Sequence, residues 1–301
     1  MQFVSLQLGF QIKSRSKRSY KMASMKTVAL TILFSFLTQF LFSQYYYKDQ
    51  VLPKQTMDQM KKLKEAKIRS IKLNSAEGNG RPVEDLLVEQ TINPSYTMVT
   101  TNTSSPSSNT STLKTWYDNS GRLIKTTDTT EGFSSTTDYV YNSDNQISSI
   151  TNTAISAGQR IEKEQHLWFY NAEGKPVKMN RIKNNSDTLY VSFTLDENGN
   201  VTEENSRRYG LAQSPVYYYY NNLNQLTDVV RYHRKAKRLL PDYMFEYNEN
   251  GQLFSMVIVP EGSDDYQRWV YQYNDQGLKT RETVVNKRKQ VLGRVDYVYG
   301  R

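Results

Sequence analysis

The sequence predicts an all-β fold: an antiparallel meander of about 15 strands, built from β-hairpin repeats of 24–29 residues and laid out as a curled or spiral sheet behind a small mixed N-terminal segment. Three observations predict it. A tyrosine-centred motif recurs along the chain, glycine or asparagine fills one turn position in every copy, and the flanking segments are rich in aromatic and β-branched residues.

The chain begins with a basic, apolar leader. Of the 301 residues, 39 are basic and 30 acidic, giving +9. Residues 1–44 hold Lys13, Arg15, Lys17, Arg18, Lys21 and Lys26 and no acid, which leaves 33 basic against 30 acidic side chains for the rest. That near balance argues against a nucleic-acid partner, which needs a dense basic stripe in the folded part. Val28 to Phe42 is an apolar run of 15 residues ending at Ser43, shorter than the ~20 that a membrane helix needs. Residues 1–43 therefore read as an N-terminal extension and signal peptide, with Met25 as the expected start, and the mature chain as not transmembrane. The absence of cysteine excludes disulfides, thiolate metal sites and a lipid-anchored cysteine.

Residues 44–99 read as an N-terminal cap region. Gln55 to Lys67 has cationic amphipathic character through Met57, Met60, Lys61 and Lys64, and Ile68 to Leu73 alternates like a strand. Residues 100–112 are almost wholly Ser, Thr, Asn and Pro, a linker composition, and mark the boundary with the repeat domain at 113–301.

The repeat is read from aligned segments such as Trp116-Tyr-Asp-Asn-Ser-Gly-Arg-Leu123, Val140-Tyr-Asn-Ser-Asp-Asn-Gln-Ile147 and Glu246-Tyr-Asn-Glu-Asn-Gly-Gln-Leu253. Positions 117, 141, 170, 195, 220, 247, 273 and 299 are Tyr, except Leu195, at steps of 24, 29, 25, 25, 27, 26 and 26. An Asn or Asp opens each turn, where its side chain bonds the backbone two residues on. The last turn position needs a left-handed backbone, and it holds Gly121, Asn145, Gly174, Gly199, Asn224, Gly251 and Gly277. The residue two before each motif Tyr shares its face, as in Trp168/Tyr170, Tyr218/Tyr220 and Tyr271/Tyr273. These pairs predict an aromatic ladder, with Tyr favoured over Phe because a half-covered face leaves the hydroxyl in water.

These motifs resemble the YD repeat of the RHS family, whose unit centres on Tyr-Asp-x-x-Gly-Arg-Leu. The resemblance covers residues 113–301, although the units here are longer and only Arg122 keeps the family's arginine. It implies extracytoplasmic, bacterial hairpin arrays that wrap into a shell or spiral, often binding carbohydrate or enclosing a toxin.

No catalytic or metal constellation is visible, and no cofactor is expected. His166 and His233 are isolated in sequence, and Asp196-x-Asn198-x-Asn200 lacks the glutamate a calcium loop needs, with Arg207 in its place. The chemistry that remains is surface recognition. Trp168, Tyr218, Tyr220, Trp269 and Tyr271 are candidate sugar-stacking faces. Arg234, Lys235, Lys237 and Arg238 form a basic rim opposite an acidic turn edge, suited to an anionic glycan or a surface protein. The function expected is a non-catalytic binding or scaffold module at the cell surface, in the periplasm or secreted. The alternatives are an enzyme acting on cell-surface polysaccharide and an outer-membrane β-barrel. Against a barrel, Lys125 to Asp128 and Ser148 to Asn152 are polar where a lipid-facing strand is apolar.

Overall fold

The computed structural model describes residues 45–105, 108–234, 236–260 and 265–301; the leader and Lys235 lie outside the described residues. Among the described residues one helix, α1 (Lys48–Glu65), precedes the strands β1 (Ser70–Glu77), β2 (Leu87–Ile92), β3 (Met98–Ser105), β4 (Ser108–Tyr117), β5 (Leu123–Thr130), β6 (Phe133–Tyr141), β7 (Ile147–Ser156), β8 (Gln159–Tyr170), β9 (Pro176–Lys183), β10 (Asp187–Leu195), β11 (Val201–Arg208), β12 (Leu211–Ala212), β13 (Val216–Tyr220), β14 (Leu226–His233), β15 (Arg238–Tyr247), β16 (Leu253–Ile258), β17 (Gln267–Tyr273), β18 (Lys279–Asn286) and β19 (Val291–Gly300). Apart from β12, every strand pairs antiparallel with the next in the chain, β11 pairing directly with β13, and β1 pairs with both β2 and β19. The sheet is therefore a closed barrel of 18 strands, with β12 as a two-residue extra strand beside β11.

Closure corrects the open curled or spiral sheet expected from the sequence. The repeat region contributes β4–β11 and β13–β19, while β1, β2 and β3 come from residues read as cap and linker. Ile71 faces Tyr299 and Leu73 faces Tyr297 across the seam. Without them β4 and β19 would be edges with unpaired N–H and C=O groups, and three more strands satisfy both. Residues 100–112 do not link two domains: they lie largely in β3 and β4, where Thr is a good strand residue.

The turns all use one device. Asp118 Oδ1 accepts from the Ser120 and Arg122 N–H groups, both at 2.9 Å, while the Gly121 N–H donates to the Asp118 carbonyl. The same pattern recurs around Asn142, Asp196, Asn221, Asn248 and Asn274. Gly121, Asn145, Gly174, Gly199, Asn224, Gly251 and Gly277 have φ between +56° and +81°. Every motif position except Tyr299 carries a register shift, as between Trp116 and Tyr117, where Ile124 is the one extra residue on the strand that follows the turn. A turn read over by the sequence joins β2 to β3, where Asn93 Oδ1 accepts from Thr97 and Met98 and Tyr96 holds the left-handed position at φ +57°.

Two sets of bonds fasten each hairpin to the next. The hydroxyls of Tyr141, Tyr170, Tyr220, Tyr247, Tyr273 and Tyr299 donate to the carbonyls of Leu123, Ile147, Val201, Leu226, Leu253 and Lys279, at 2.6–2.8 Å. Each acceptor lies six residues beyond the preceding motif position. These hydroxyls are not left in water, as the sequence suggested: each has a specific acceptor one hairpin back. At the rim, Arg122 reaches Asn145, Gln146 reaches the Gly174 carbonyl, Asn200 reaches Asn224 and Gln225 reaches the Gly251 carbonyl.

Buried side chains gather in two lobes inside the barrel. One core lobe gathers Met60, Leu63, Ile71, Leu73, Val88, Trp269, Tyr271, Val284 and Val295; the other gathers Tyr45, Tyr46, Trp168, Met179, Val191, Phe193, Tyr218 and Val229. Tyr139, Tyr243 and Phe245 touch both. The N-terminal strap bridges the two, with its tyrosines in one lobe and the Met60/Leu63 face of α1 in the other. The helix starts earlier than the periodicity of Gln55 to Lys67 indicates. Lys62 Nζ approaches the Gly277 carbonyl at 3.5 Å, which puts α1 over the tight-turn rim.

Tyr273→Phe should lower stability by about 1 kcal/mol, the worth of one neutral hydrogen bond. Gly121→Ala should cost about 1–2 kcal/mol and Gly121→Asn less, because no atom lies within 4 Å of the added Cβ and only the left-handed backbone resists. Urea unfolding of the three variants checks both.

Candidate functional site

The densest chemistry lies inside the barrel, where the strap meets β8, β9, β11 and β13. Along β8 the inward positions are Glu164, His166, Trp168 and Tyr170, the parity set by the motif tyrosine. His166 Nδ1 lies 2.5 Å from Asp49 Oδ2 in the first turn of α1, and its Nε2 lies 2.9 Å from Glu164 Oε1. Glu164 Oε2 accepts from Arg181 on β9 at 2.8 Å. One strand pair further, Glu204 is buried on β11 and accepts three bonds: from the Tyr46 N–H at 2.8 Å, the Tyr47 N–H at 3.2 Å and the Tyr218 hydroxyl at 2.7 Å. Towards the opposite mouth, Glu162 pairs with Lys183 at 2.6 Å and Asp187 with Arg208.

The electrostatics follow from this enclosure. Burial alone would lower the basicity of His166, but the Asp49 and Glu164 carboxylates outweigh it and hold its pKa up to about 9. Burial would raise Glu164, yet the bonds from His166 and Arg181 pull it down to about 2. Burial pushes Glu204 up to about 7, against the opposing bonds from Tyr218, Tyr47 and Tyr46. At neutral pH the imidazole is a cation bracketed by two carboxylates, one on the strap and one on the wall.

The residues singled out from the sequence divide into three groups. Trp168, Tyr218, Trp269 and Tyr271 are buried and Tyr220 half-buried, all on the inward face. They pack the lobes and offer no face to a sugar, which corrects their reading as exposed contacts. The bulk that marked them as stacking platforms is what fills the lumen. Arg234, Lys237 and Arg238 are exposed at the rim opposite the tight turns, with no ion-pair partner among the described residues. Lys235 lies outside the described residues. Arg208 on β11 bonds inward Asp187. The seven left-handed turn residues line the other rim.

Sequence reasoning set His166 aside as isolated and did not single out Asp49, Glu164 or Glu204, because the strap contacts that join them span 117 to 158 residues. The available signal was parity: Glu164 and His166 share a face with Trp168 and Tyr170.

Facing outward, the middle of the wall is polar. Lys72, Asn74, Lys114, Asp138 and Gln165 point out between buried neighbours or their cross-strand partners, and Arg268–Glu246, Arg281–Asp296 and Lys125–Asp138 pair across strands. A closed antiparallel barrel nonetheless fits the outer-membrane β-barrel alternative better than it fits an open binding module with a displayed aromatic ladder.

No family model matches the chain, and neither does any curated protein. Solved structures similar to it include a porin-like protein from Bacteroides uniformis, 11% identical, covering 77% of this chain and 96% of that one at a TM-score of 0.41. A porin-like protein from Bacteroides vulgatus is 11% identical over 77% of this chain and 98% of that one, at 0.21. The Photorhabdus luminescens Tc holotoxin pore is 12% identical over 72% of this chain and 12% of that one, at 0.32.

Glu204→Ala should cost about 3 kcal/mol, because two strap N–H groups and a buried hydroxyl lose their acceptor together. Glu204→Gln keeps an acceptor oxygen and should cost less than half as much. Chemical denaturation at pH 7, followed by tryptophan fluorescence, reads the difference.

Proposed function

We propose that this protein is an exported, self-plugged β-barrel of the bacterial envelope, serving a binding or scaffolding role without an open conduit. The observation that carries it is the lumen. A barrel of 16–18 strands with a polar interior leaves an aqueous channel, whereas here the interior holds two aromatic and aliphatic lobes and the strap that spans them. Export rests on the leader at 1–43, and the recurrent Tyr-Asn/Asp-x-x-Gly units support a relationship to YD-repeat proteins. The exposed, unpaired Arg234, Lys237 and Arg238 support an anionic glycan or an acidic surface protein as partner.

Closure of the sheet supports an outer-membrane setting. The outward mid-wall favours a second reading, in which the same barrel stands in water outside the cytoplasmic membrane. Arginine or lysine facing lipid at mid-depth costs about 2–4 kcal/mol each, and Lys72, Lys114, Arg268 and Arg281 all face outward in the wall.

Carbonate washing of envelope membranes separates the settings: an embedded barrel stays in the pellet, and a water-exposed one is released. In either setting the purified protein should give no stepwise conductance in a planar bilayer. Open-channel currents of porin size would overturn the plugged-barrel reading.

A further inference from the structure

Residues Tyr45–Asp49 lie against the wall as a bound peptide lies in its receptor. Its rings, backbone and charge are all met by side chains of the wall. The Tyr45 ring sits between Tyr218 and Tyr243, with centroids 6.0 and 5.5 Å away. Tyr46 presents its ring edge-on to His166 at 5.4 Å, and Tyr47 meets Tyr218 at 5.4 Å. Glu204 takes two consecutive backbone N–H groups, and His166 takes the Asp49 carboxylate. Backbone capture, aromatic slots and one terminal charge contact are the components of peptide recognition, which goes beyond the structural role argued above.

We propose that this cleft is a peptide-binding site for an extended tyrosine-rich segment ending in a carboxylate side chain, filled in cis by the chain's own Tyr45–Asp49, and that His166 is the clasp that holds or releases it.

The groups facing His166 are Asp49 from α1, Glu164 on its own strand, Arg181 on β9 behind Glu164, and the Tyr46 ring; Lys48 and Glu204 lie within electrostatic range of the same cluster. The sign is set by a folded pKa above the ordinary value of 6.5: the clasp is complete below that value and is lost as pH rises through about 9. When the imidazolium deprotonates, Glu164 keeps Arg181, but Asp49 loses its cation across the cleft. Burial pushes Glu204 up to about 7 while the Tyr46 and Tyr47 N–H bonds oppose that rise, so its ionisation does not itself release the strap. The strap therefore loosens from its tyrosine end, while the Met60/Leu63 face and β1 keep it tethered.

The test uses the full mature chain, limited trypsinolysis at Lys48 and a fluorescent Tyr-Tyr-Tyr-Lys-Asp peptide. Lys48 is expected to resist cleavage at pH 7 and to become sensitive above about pH 9. Asp49→Asn should move that midpoint down by about one pH unit or more. At pH 7 it should also bind the peptide roughly tenfold tighter than wild type, with an Asn-ending peptide binding less well. His166→Gln should free the strap at neutral pH and abolish the preference for the Asp-ending peptide. Should Asp49→Asn fail to fold, wild type opened at pH 10 with excess peptide and returned to pH 7 is expected to retain it. Protection of Lys48 unchanged from pH 7 to 10 overturns the clasp. A freed strap with no uptake of either peptide overturns the binding site.

Discussion

A tyrosine hydroxyl donating to a carbonyl one hairpin away is the contact on which the barrel depends. The motif tyrosine closes its strand at the rim, and the Asn/Asp turn of the hairpin before it sets where the acceptor falls. Because the acceptor is backbone, the bond is indifferent to the side chain there, and Leu123, Ile147, Val201 and Lys279 all serve. The repeat can therefore drift in sequence while its geometry holds. Leu195 marks the one motif position in the array without a hydroxyl to donate, and there the Trp168–Phe193 stack, with centroids 5.2 Å apart and rings 6° from parallel, closes the packing.

Much of this was legible. An Asn or Asp followed three residues later by Gly or Asn identifies a turn by its own chemistry, so seven of the bends and their spacing could be read locally. The Asn93 turn could not, because Tyr96 stands where the pattern holds Gly or Asn; the cation over its ring, Arg69 at 3.9 Å, comes from the link between α1 and β1. Strands β3 and β4 escaped for a compositional reason: Ser and Thr lie on both faces, which is how a linker reads. Closure was invisible in principle, since β1 and β19 pair across more than two hundred residues and no local periodicity records a partner.

The candidate site was harder still. Glu204 next to Glu203 reads as an ordinary charged pair until the strand is placed, when one faces water and the other disappears under Tyr46 and Tyr47. A buried carboxylate is tolerated there because three donors converge on it. His166 likewise gains its meaning from Asp49, 117 residues away. Both are places where an otherwise apolar lobe admits charge, and both hold the strap.

The seam between β1 and β19 is in effect a ninth hairpin whose bend is missing. The Arg69 N–H donates to the Gly300 carbonyl at 2.7 Å, and Gly300 packs so closely on Ser70 that a side chain there would collide with its hydroxyl. The two ends of the wall are thus adjacent, and the order in which its staves follow one another is a matter of where the ring happens to be cut. A covalent bridge across that gap, with a new opening at any other bend, describes the same cylinder: the architecture is cyclic, and its linear sequence is one of several equivalent circular permutations.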